Sequence, residues 1–223
     1  SGFSRKASSS CPTQKITCAC SSAVALEGLS ENVCGELLPS TIRSGVPTPN
    51  ITRDTSECTG LMLATTRRLL VADDYVRSGS WAGAKPSPMM RPQAGMPGRR
   101  IGIYGMGEIG RKIAARVAAF ETEVGYFSRS RHDVPYRYFP TLDALAEWCS
   151  VLMIAVRAGA DTNHAVDADI LKKLGKDGYV VNISRGSVID QKALVAALSE
   201  QGIAGAGLDV YEKEPHAPDA LTA

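Results

Sequence analysis

The sequence predicts a doubly wound α/β fold, a mostly parallel sheet with helices on both faces, and three observations carry that prediction. Short β-branched apolar runs alternate along the chain with stretches whose apolar residues recur at helical spacing. The loops between them are short, and strand–helix alternation with short loops builds a parallel sheet. At the first strand-to-helix junction stands Gly105-Met106-Gly107-Glu108-Ile109-Gly110.

In chain order, residues 1 to about 42 are the least legible. The chain does not begin with Met, so this end is expected to be processed or incomplete. Arg5-Lys6, Ser8-Ser9-Ser10 and the lack of any acid before Glu27 have the composition of an organellar transit segment. A disordered or damaged terminus is the plainer alternative. Val46 to Thr52, with Pro47 and Pro49, reads as an extended connector. A long helix is expected over Ser56 to Arg77, carrying Leu61, Leu63, Leu69, Leu70 and Val76. Residues 78–98, rich in Gly, Pro and Met, read as a linker that Trp81 pins to a neighbouring surface.

Arg100 to Tyr104 is a buried strand, with Ile101 and Ile103 β-branched. The helix after it shows Ile109, Ile113, Val117 and Phe120 on one face, and Val124 to Phe127 forms the next strand. Thr141 is expected to cap Leu142 to Trp148, ahead of a strand from Val151 to Val156. A short helix, Asp169 to Leu174, stops at Gly175 and is followed by a strand from Tyr179 to Ile183. Asp190 caps Gln191 to Gln201, and Ile203 to Val210 is a glycine-spaced strand.

A G-x-G-x-x-G at the first turn of a β-α-β unit is the fingerprint of a Rossmann-type dinucleotide site. Gly105 permits the tight turn, Gly107 lets a pyrophosphate approach the backbone, and Gly110 lets helix and strand pack closely. The helix N-terminus then turns its unpaired N–H groups and dipole towards the phosphates. Where an NAD site keeps a carboxylate for the ribose 2′-hydroxyl, this chain has Ser128-Arg129-Ser130-Arg131. Two guanidiniums and two hydroxyls suit a 2′-phosphate, so the expected cofactor is NADP, with NAD as the alternative. A solvated basic loop is the bland reading of the same residues.

Ligands in such sheets lie beyond the C-terminal ends of the strands, which places Val156–Ala158, Ser184–Ser187 and Asp209–Glu214 near the same site. An arginine such as Arg185 can hold a carboxylate bidentately. A carboxylate such as Glu214 can keep an imidazole protonated for donation to a carbonyl oxygen. On spacing alone, a surface ion pair for Arg185 and a helix-terminus charge for Glu214 serve as well.

Composition closes off other classes. At 44% hydrophobic and 22% charged the chain is an ordinary globular protein, and a net charge of +2 gives no argument for nucleic acid or a membrane surface. No apolar run approaches a membrane span. Five of the six cysteines (Cys11, Cys18, Cys20, Cys34 and Cys58) crowd the N-terminal part without zinc-type spacing, so no metal site is expected. Cys149, beside Trp148, is expected to be a buried thiol, and the compartment reducing.

The segments GMGEIG, NISRGSVID and GAGLDVYEKEP, in this order and spacing, resemble the D-isomer-specific 2-hydroxyacid dehydrogenases, over about Val46 to Ala223. The YFSRSR loop is similar to that of the NADP-preferring hydroxypyruvate and glyoxylate reductase branch. The resemblance implies an oxidoreductase that reduces a small 2-oxo acid by hydride transfer while a histidine protonates the carbonyl oxygen. It implies a homodimer, here expected in the cytoplasm. By the family pattern Arg185 is the substrate-carboxylate arginine, Glu214 the partner of the catalytic histidine, and Asp209 the acid beside the nicotinamide. Val156, Arg157, Ile183 and Ser184 complete the dinucleotide contacts, although Val156-Arg157-Ala158 replaces the more usual Cys-Pro-Leu. Residues 53–223 are then the dinucleotide-binding domain, and residues 1–52 a remnant of the second, substrate-binding domain or a disordered terminus. The family histidine lies further along than Ala223, and His132, His164 and His216 do not take its place. The chain as it stands is therefore expected to bind dinucleotide without turnover. An inactive dinucleotide-binding fragment and a dinucleotide-sensing corepressor are the alternatives.

Overall fold

A computed structural model describes residues 55–83, 95–214 and 218–222, together with the two-residue strand Thr17–Cys18. The expectations for the rest of residues 1–54, for the middle of the 78–98 linker and for His216 lie outside the described residues.

The strands are β1 (Thr17–Cys18), β2 (Arg100–Tyr104), β3 (Glu123–Phe127), β4 (Arg137–Phe139), β5 (Val151–Ile154), β6 (Tyr179–Asn182) and β7 (Gly205–Leu208). The helices are α1 (Ser56–Thr66), α2 (Leu69–Arg77), α3 (Glu108–Ala118), α4 (Leu142–Trp148), α5 (Ala168–Leu174), α6 (Gln191–Ser199) and α7 (Asp219–Thr222). The sheet order is β1-β7-β6-β5-β2-β3-β4, and every pairing is parallel. From β2 the chain steps outward through β3 and β4, then returns to the other side of β2 and steps through β5, β6 and β7. The order reverses between β2 and β5, and the crevice at such a switch point is where a ligand sits.

Strands buried on both faces explain the sequence pattern: β5, β6 and β7 have no exposed residue, so their side chains show no polar alternation. One core, with Leu145, Leu171, Val180 and Leu194, lies under α4, α5 and α6. The other, with Met62, Ile101, Ile103, Ile113 and Val181, lies under α1 and α3. Buried Thr65 and Thr66 of α1 donate their hydroxyls to Leu61 O (2.7 Å) and Met62 O (2.8 Å), which satisfies them inside an apolar face. A Cβ on Gly207 would stand 2.4 Å from Thr65 Oγ1, so the glycine spacing of β7 is what lets α1 lie on the sheet.

The anticipated caps hold. Thr141 Oγ1 accepts from Ala144 N (3.2 Å), and one Asp190 oxygen accepts from Lys192 N (2.9 Å) and Ala193 N (3.1 Å). α5 begins one residue earlier than expected because Asp167 Oδ1 caps it, accepting from Asp169 N and Ile170 N at 3.0 Å.

Other expectations are corrected. The long helix over Ser56 to Arg77 is two helices, broken where Arg68 takes a left-handed conformation (φ 51). The apolar spacing runs on through the break, so periodicity does not mark it. Burial does, because α1 packs on the sheet and α2 buries no residue at all. Phe120 lies past the end of α3, α6 stops at Ser199 with Gln201 left-handed beyond it, and the strands β5, β6 and β7 stop short of Val156, Ile183 and Val210. For the three strands the apolar run continues into the loops that form the site. Trp81 is 71% exposed, so it does not pin the linker against a surface of the described residues. Strand β4, three residues between Pro135 and Pro140, was not anticipated.

Candidate functional site

The loops leaving five adjacent parallel strands open on one edge, and every site residue singled out in the sequence lies in them or, for Glu108, Ile109 and Gly110, in the first turn of α3. The glycine turn follows β2, Ser128 to Arg131 follow β3, Val156 and Arg157 follow β5, Ile183 to Arg185 follow β6, and Asp209 and Glu214 follow β7.

The glycine turn is built as its spacing requires. Gly105 has φ +103, and a Cβ there would meet Ala155 O at 2.8 Å. Its N–H donates to Phe127 O (2.8 Å), which ties the turn to the end of β3. A Cβ on Gly110 would stand 1.9 Å from Gly105 O, so α3 could not start where it does with any other residue. Gly107 is the N-cap of α3, offers no capping side chain, and has nothing within 4 Å of where a Cβ would be. Helix N–H groups thus face open space at the positive end of an 11-residue helix. A pyrophosphate fits this cradle. Met106 is wholly buried and Ile109 partly buried in the core under α1 and α3, so they offer backbone alone, while exposed Glu108 is held by Lys112 at 3.2 Å.

After β3, Ser128 is half-buried and donates to Ser130 O (2.6 Å), while Arg129, Ser130 and Arg131 are exposed. Among the described residues neither Arg129 nor Arg131 makes an ion pair, so both charges face the edge uncompensated. After β5, Val156 packs on the core and Arg157 is exposed, its carbonyl accepting from Thr162 Oγ1 (3.1 Å). A cavity of about 410 Å³ opens at the same edge, bounded by Tyr104, Phe127, Thr141, Asp161 and Asp167.

The β6 and β7 loops form one unit. Asn182 is 1% exposed, and its Oδ1 accepts from Ser184 N (3.0 Å) and Ser184 Oγ (2.9 Å) while its Nδ2 donates to Arg185 O (2.9 Å). One buried amide thereby sets the turn that carries Arg185. A Cβ on Gly186 would stand 1.9 Å from the carbonyl carbon of Tyr211, so that turn is pressed against the backbone between Asp209 and Glu214. Asp209 N donates to Asn182 O (3.0 Å), which continues the register. Arg185 is exposed, donates to Ser184 O (2.6 Å) and makes no ion pair among the described residues, against the surface-pair reading. Burial, then the charges of Glu57 and Glu214, push the Asp209 carboxyl above its ordinary range. Glu214 is exposed and caps its own turn, accepting from Tyr211 N (3.2 Å). The histidine–carboxylate contact among the described residues is instead His164 Nε2 to Glu212 Oε1, at 2.9 Å.

Two participants escaped the sequence reading. Asn182 had a signal, as the polar residue closing an otherwise apolar strand just ahead of the arginine turn. Glu57 had none, because only the packing of α1 on β7 brings it near Asp209.

Among the described residues, no three His, Cys, Asp or Glu side chains gather as a metal site, and no helix is long and apolar enough to cross a membrane.

Residues 59–223 match the sequence model of the D-isomer specific 2-hydroxyacid dehydrogenase NAD binding domain. A 2-ketogluconate reductase of Gluconobacter oxydans is 46% identical over 157 residues, covering 70% of this chain and 49% of the relative. A glyoxylate/hydroxypyruvate reductase of Arabidopsis thaliana is 40% identical over 177 residues, covering 78% and 55%. A solved structure of an NADPH-dependent glyoxylate/hydroxypyruvate reductase from Sinorhizobium meliloti, in complex with NADP and malonate, is 43% identical with a TM-score of 0.67, covering 74% of this chain and 51% of that one. The chain thus spans about half the length of the relatives it matches. With the glycine cradle at the switch point of a parallel sheet, the chain belongs to the D-isomer specific 2-hydroxyacid dehydrogenase family and carries that family's NAD binding domain.

Proposed function

We propose that the protein is an NADP-preferring reductase of small 2-oxo acids such as glyoxylate or hydroxypyruvate, with NAD as the weaker cofactor. The observation that carries this reading is the joined β6–β7 turn, which sets the Arg185 guanidinium, without an ion pair among the described residues, beside the Asp209 and Glu214 loop on the edge that holds the glycine cradle. The nicotinamide, when bound, supplies the hydride. Arg185 holds the substrate carboxylate by its planar fork and so orients the 2-oxo carbon. Asp209, half-buried, holds the nicotinamide amide. Glu214 keeps the family's imidazole charged for donation to the carbonyl oxygen. The uncompensated charges of Arg129 and Arg131 support the preference for a 2′-phosphate, as does the relative solved with NADP.

The test is NADPH and NADH oxidation by the full-length protein with glyoxylate, hydroxypyruvate and 2-ketogluconate. Faster use of NADPH with a 2-oxo acid is the expected result. Absence of turnover with any 2-oxo acid would leave dinucleotide binding alone.

The same reading takes residues 1–52 for part of the substrate-binding domain and residues 53–223 for the dinucleotide domain. It places the protein in the cytoplasm or another reducing compartment, in keeping with the free buried thiols of Cys58 and Cys149. Association as a homodimer is supported by the apolar face that α2 and its flank leave open, with Leu69, Leu70 and Val76 each about half exposed and Trp81 more so.

A further inference from the structure

The Ser128–Arg131 loop is held from outside itself. Tyr126, at the end of β3, is wholly buried, yet its hydroxyl meets both backbone polar groups of His132: it accepts from His132 N (2.8 Å) and donates to His132 O (3.1 Å). A phenol that both donates and accepts is fully used, and here both partners lie on the residue that closes the loop. The His132 ring stands 6.2 Å from that of Tyr126, and its Nδ1 lies 3.2 Å from Arg111 Nη2 on α3. Arginine only donates, so Nδ1 can serve only as the acceptor in this contact. The contact leaves the Arg111 charge uncompensated, and among the described residues Arg111 makes no ion pair. Arg111 thus adds a third guanidinium beside a short loop that already carries Arg129 and Arg131. Adjacent Asp133, exposed, is the nearest acid in sequence and pairs with none of them among the described residues.

We infer that Tyr126 and His132 are positioning residues that hold the Ser128–Arg131 loop ready for a 2′-phosphate and thereby set the choice between phosphorylated and unphosphorylated dinucleotides. The inference rests on the reading of Arg129 and Arg131 as the phosphate ligands. A flexible loop would lose conformational freedom on closing round the phosphate, and that loss would weaken the phosphorylated dinucleotide alone. A loop already clasped at its base avoids most of it. The unphosphorylated dinucleotide makes no demand on the loop and should be indifferent to the clasp.

Fluorescence titration of the 223-residue chain with NADPH and with NADH tests this without any turnover. Tyr126→Phe keeps the ring and its packing and removes only the hydroxyl, and it should weaken NADPH about tenfold while NADH stays within about twofold. His132→Ala keeps the backbone clasp and removes the Arg111 contact, so it should lower the NADPH-to-NADH preference by about threefold. Equal weakening of both dinucleotides by Tyr126→Phe would make the tyrosine merely structural and overturn the inference. So would an unchanged preference in either variant. Arg129→Ala, run beside them, separates the two levels. If it too leaves the preference unchanged, the 2′-phosphate assignment itself has failed. If it lowers the preference while Tyr126→Phe and His132→Ala do not, only the positioning role has.

Discussion

The two ends of the binding edge are held in different ways. At the end proposed for the adenosine the loop after β3 is clasped by a buried tyrosine and braced from α3, and among the described residues its charged side chains make no ion pair. At the reacting end the backbone is just as firmly set, by Asn182 and by the close approach at Gly186, but the side chains are turned onto their own turns. Arg185 donates to the neighbouring carbonyl of Ser184, and Glu214 accepts from Tyr211 N. Recognition of the dinucleotide is thus built into this domain. Arg185 and Glu214, the groups proposed to act on the substrate and the imidazole, lie on the same edge, each with a local backbone hydrogen bond.

The contrast predicts a large effect from the smallest chemical change at the reacting end. Arg185→Lys keeps the charge and loses the fork, so in the full-length enzyme kcat/KM for glyoxylate should fall by roughly a hundredfold or more, as misalignment of a reacting centre typically does. The dissociation constant for NADPH should not move. Near-normal turnover by the lysine variant would reduce Arg185 to a surface charge.

Asn182 sharpens the comparison, because it sets backbone rather than chemistry. Asn182→Ala would strand buried Ser184 donors and the Arg185 carbonyl, at a cost of about 1–3 kcal/mol in unfolding free energy. Urea denaturation measures it. A change below about half a kcal/mol would mean that the turn holds itself.

How much of this was legible follows the same division. The glycine cradle and the basic loop were readable because each depends on residue type at fixed spacing within one β-α-β unit: Gly105 takes a positive φ, and Gly110 is required by the approach of Gly105 O five residues before it. The arginine and acid turns were located by the ends of their strands, but their roles came through family resemblance, since spacing alone left them ambiguous. What the sequence hid is tertiary. The break at Arg68 falls where the helix leaves the sheet, and an unbroken apolar period conceals it. Glu57 reaches Asp209 only through the packing of α1, and the clasp on His132 joins residues that look like an ordinary strand end and an ordinary loop.

At the adenosine end, Arg129→Ala should weaken NADPH roughly tenfold. A hydrogen bond to a charged group is worth about 1.5–3 kcal/mol, and the exposure of this loop puts the effect at the lower limit. NADH affinity should barely change, and equal loss for both dinucleotides, read by the same fluorescence titration, would remove the 2′-phosphate from the site.

The smallest expected effect concerns Asp209, where the two ends can be compared by charge rather than geometry. Its carboxyl is pushed above the ordinary Asp value of 3.8, first by burial and then by the charges of Glu57 and Glu214. An acid whose folded value is raised stabilises the fold below its unfolded value, and that contribution is lost as pH rises through the folded one. At neutral pH the wild-type domain therefore carries an ionised group that the fold disfavours, and Asp209→Asn should be the more stable of the two. Asp209 is only half-buried, so solvent screening keeps the gain below about 1 kcal/mol. The gain should shrink as the pH is lowered towards and below the ordinary Asp value, where the wild-type side chain is neutral in both states. Glu57→Gln should show a smaller gain in the same direction, because it removes one of the charges that raise Asp209 and leaves the burial. Thermal unfolding of the three proteins between neutral pH and pH about 3 reads the difference. A wild type more stable than Asp209→Asn at neutral pH would show that the carboxylate is held by a favourable partner, and the site would then need a cation beside Asp209.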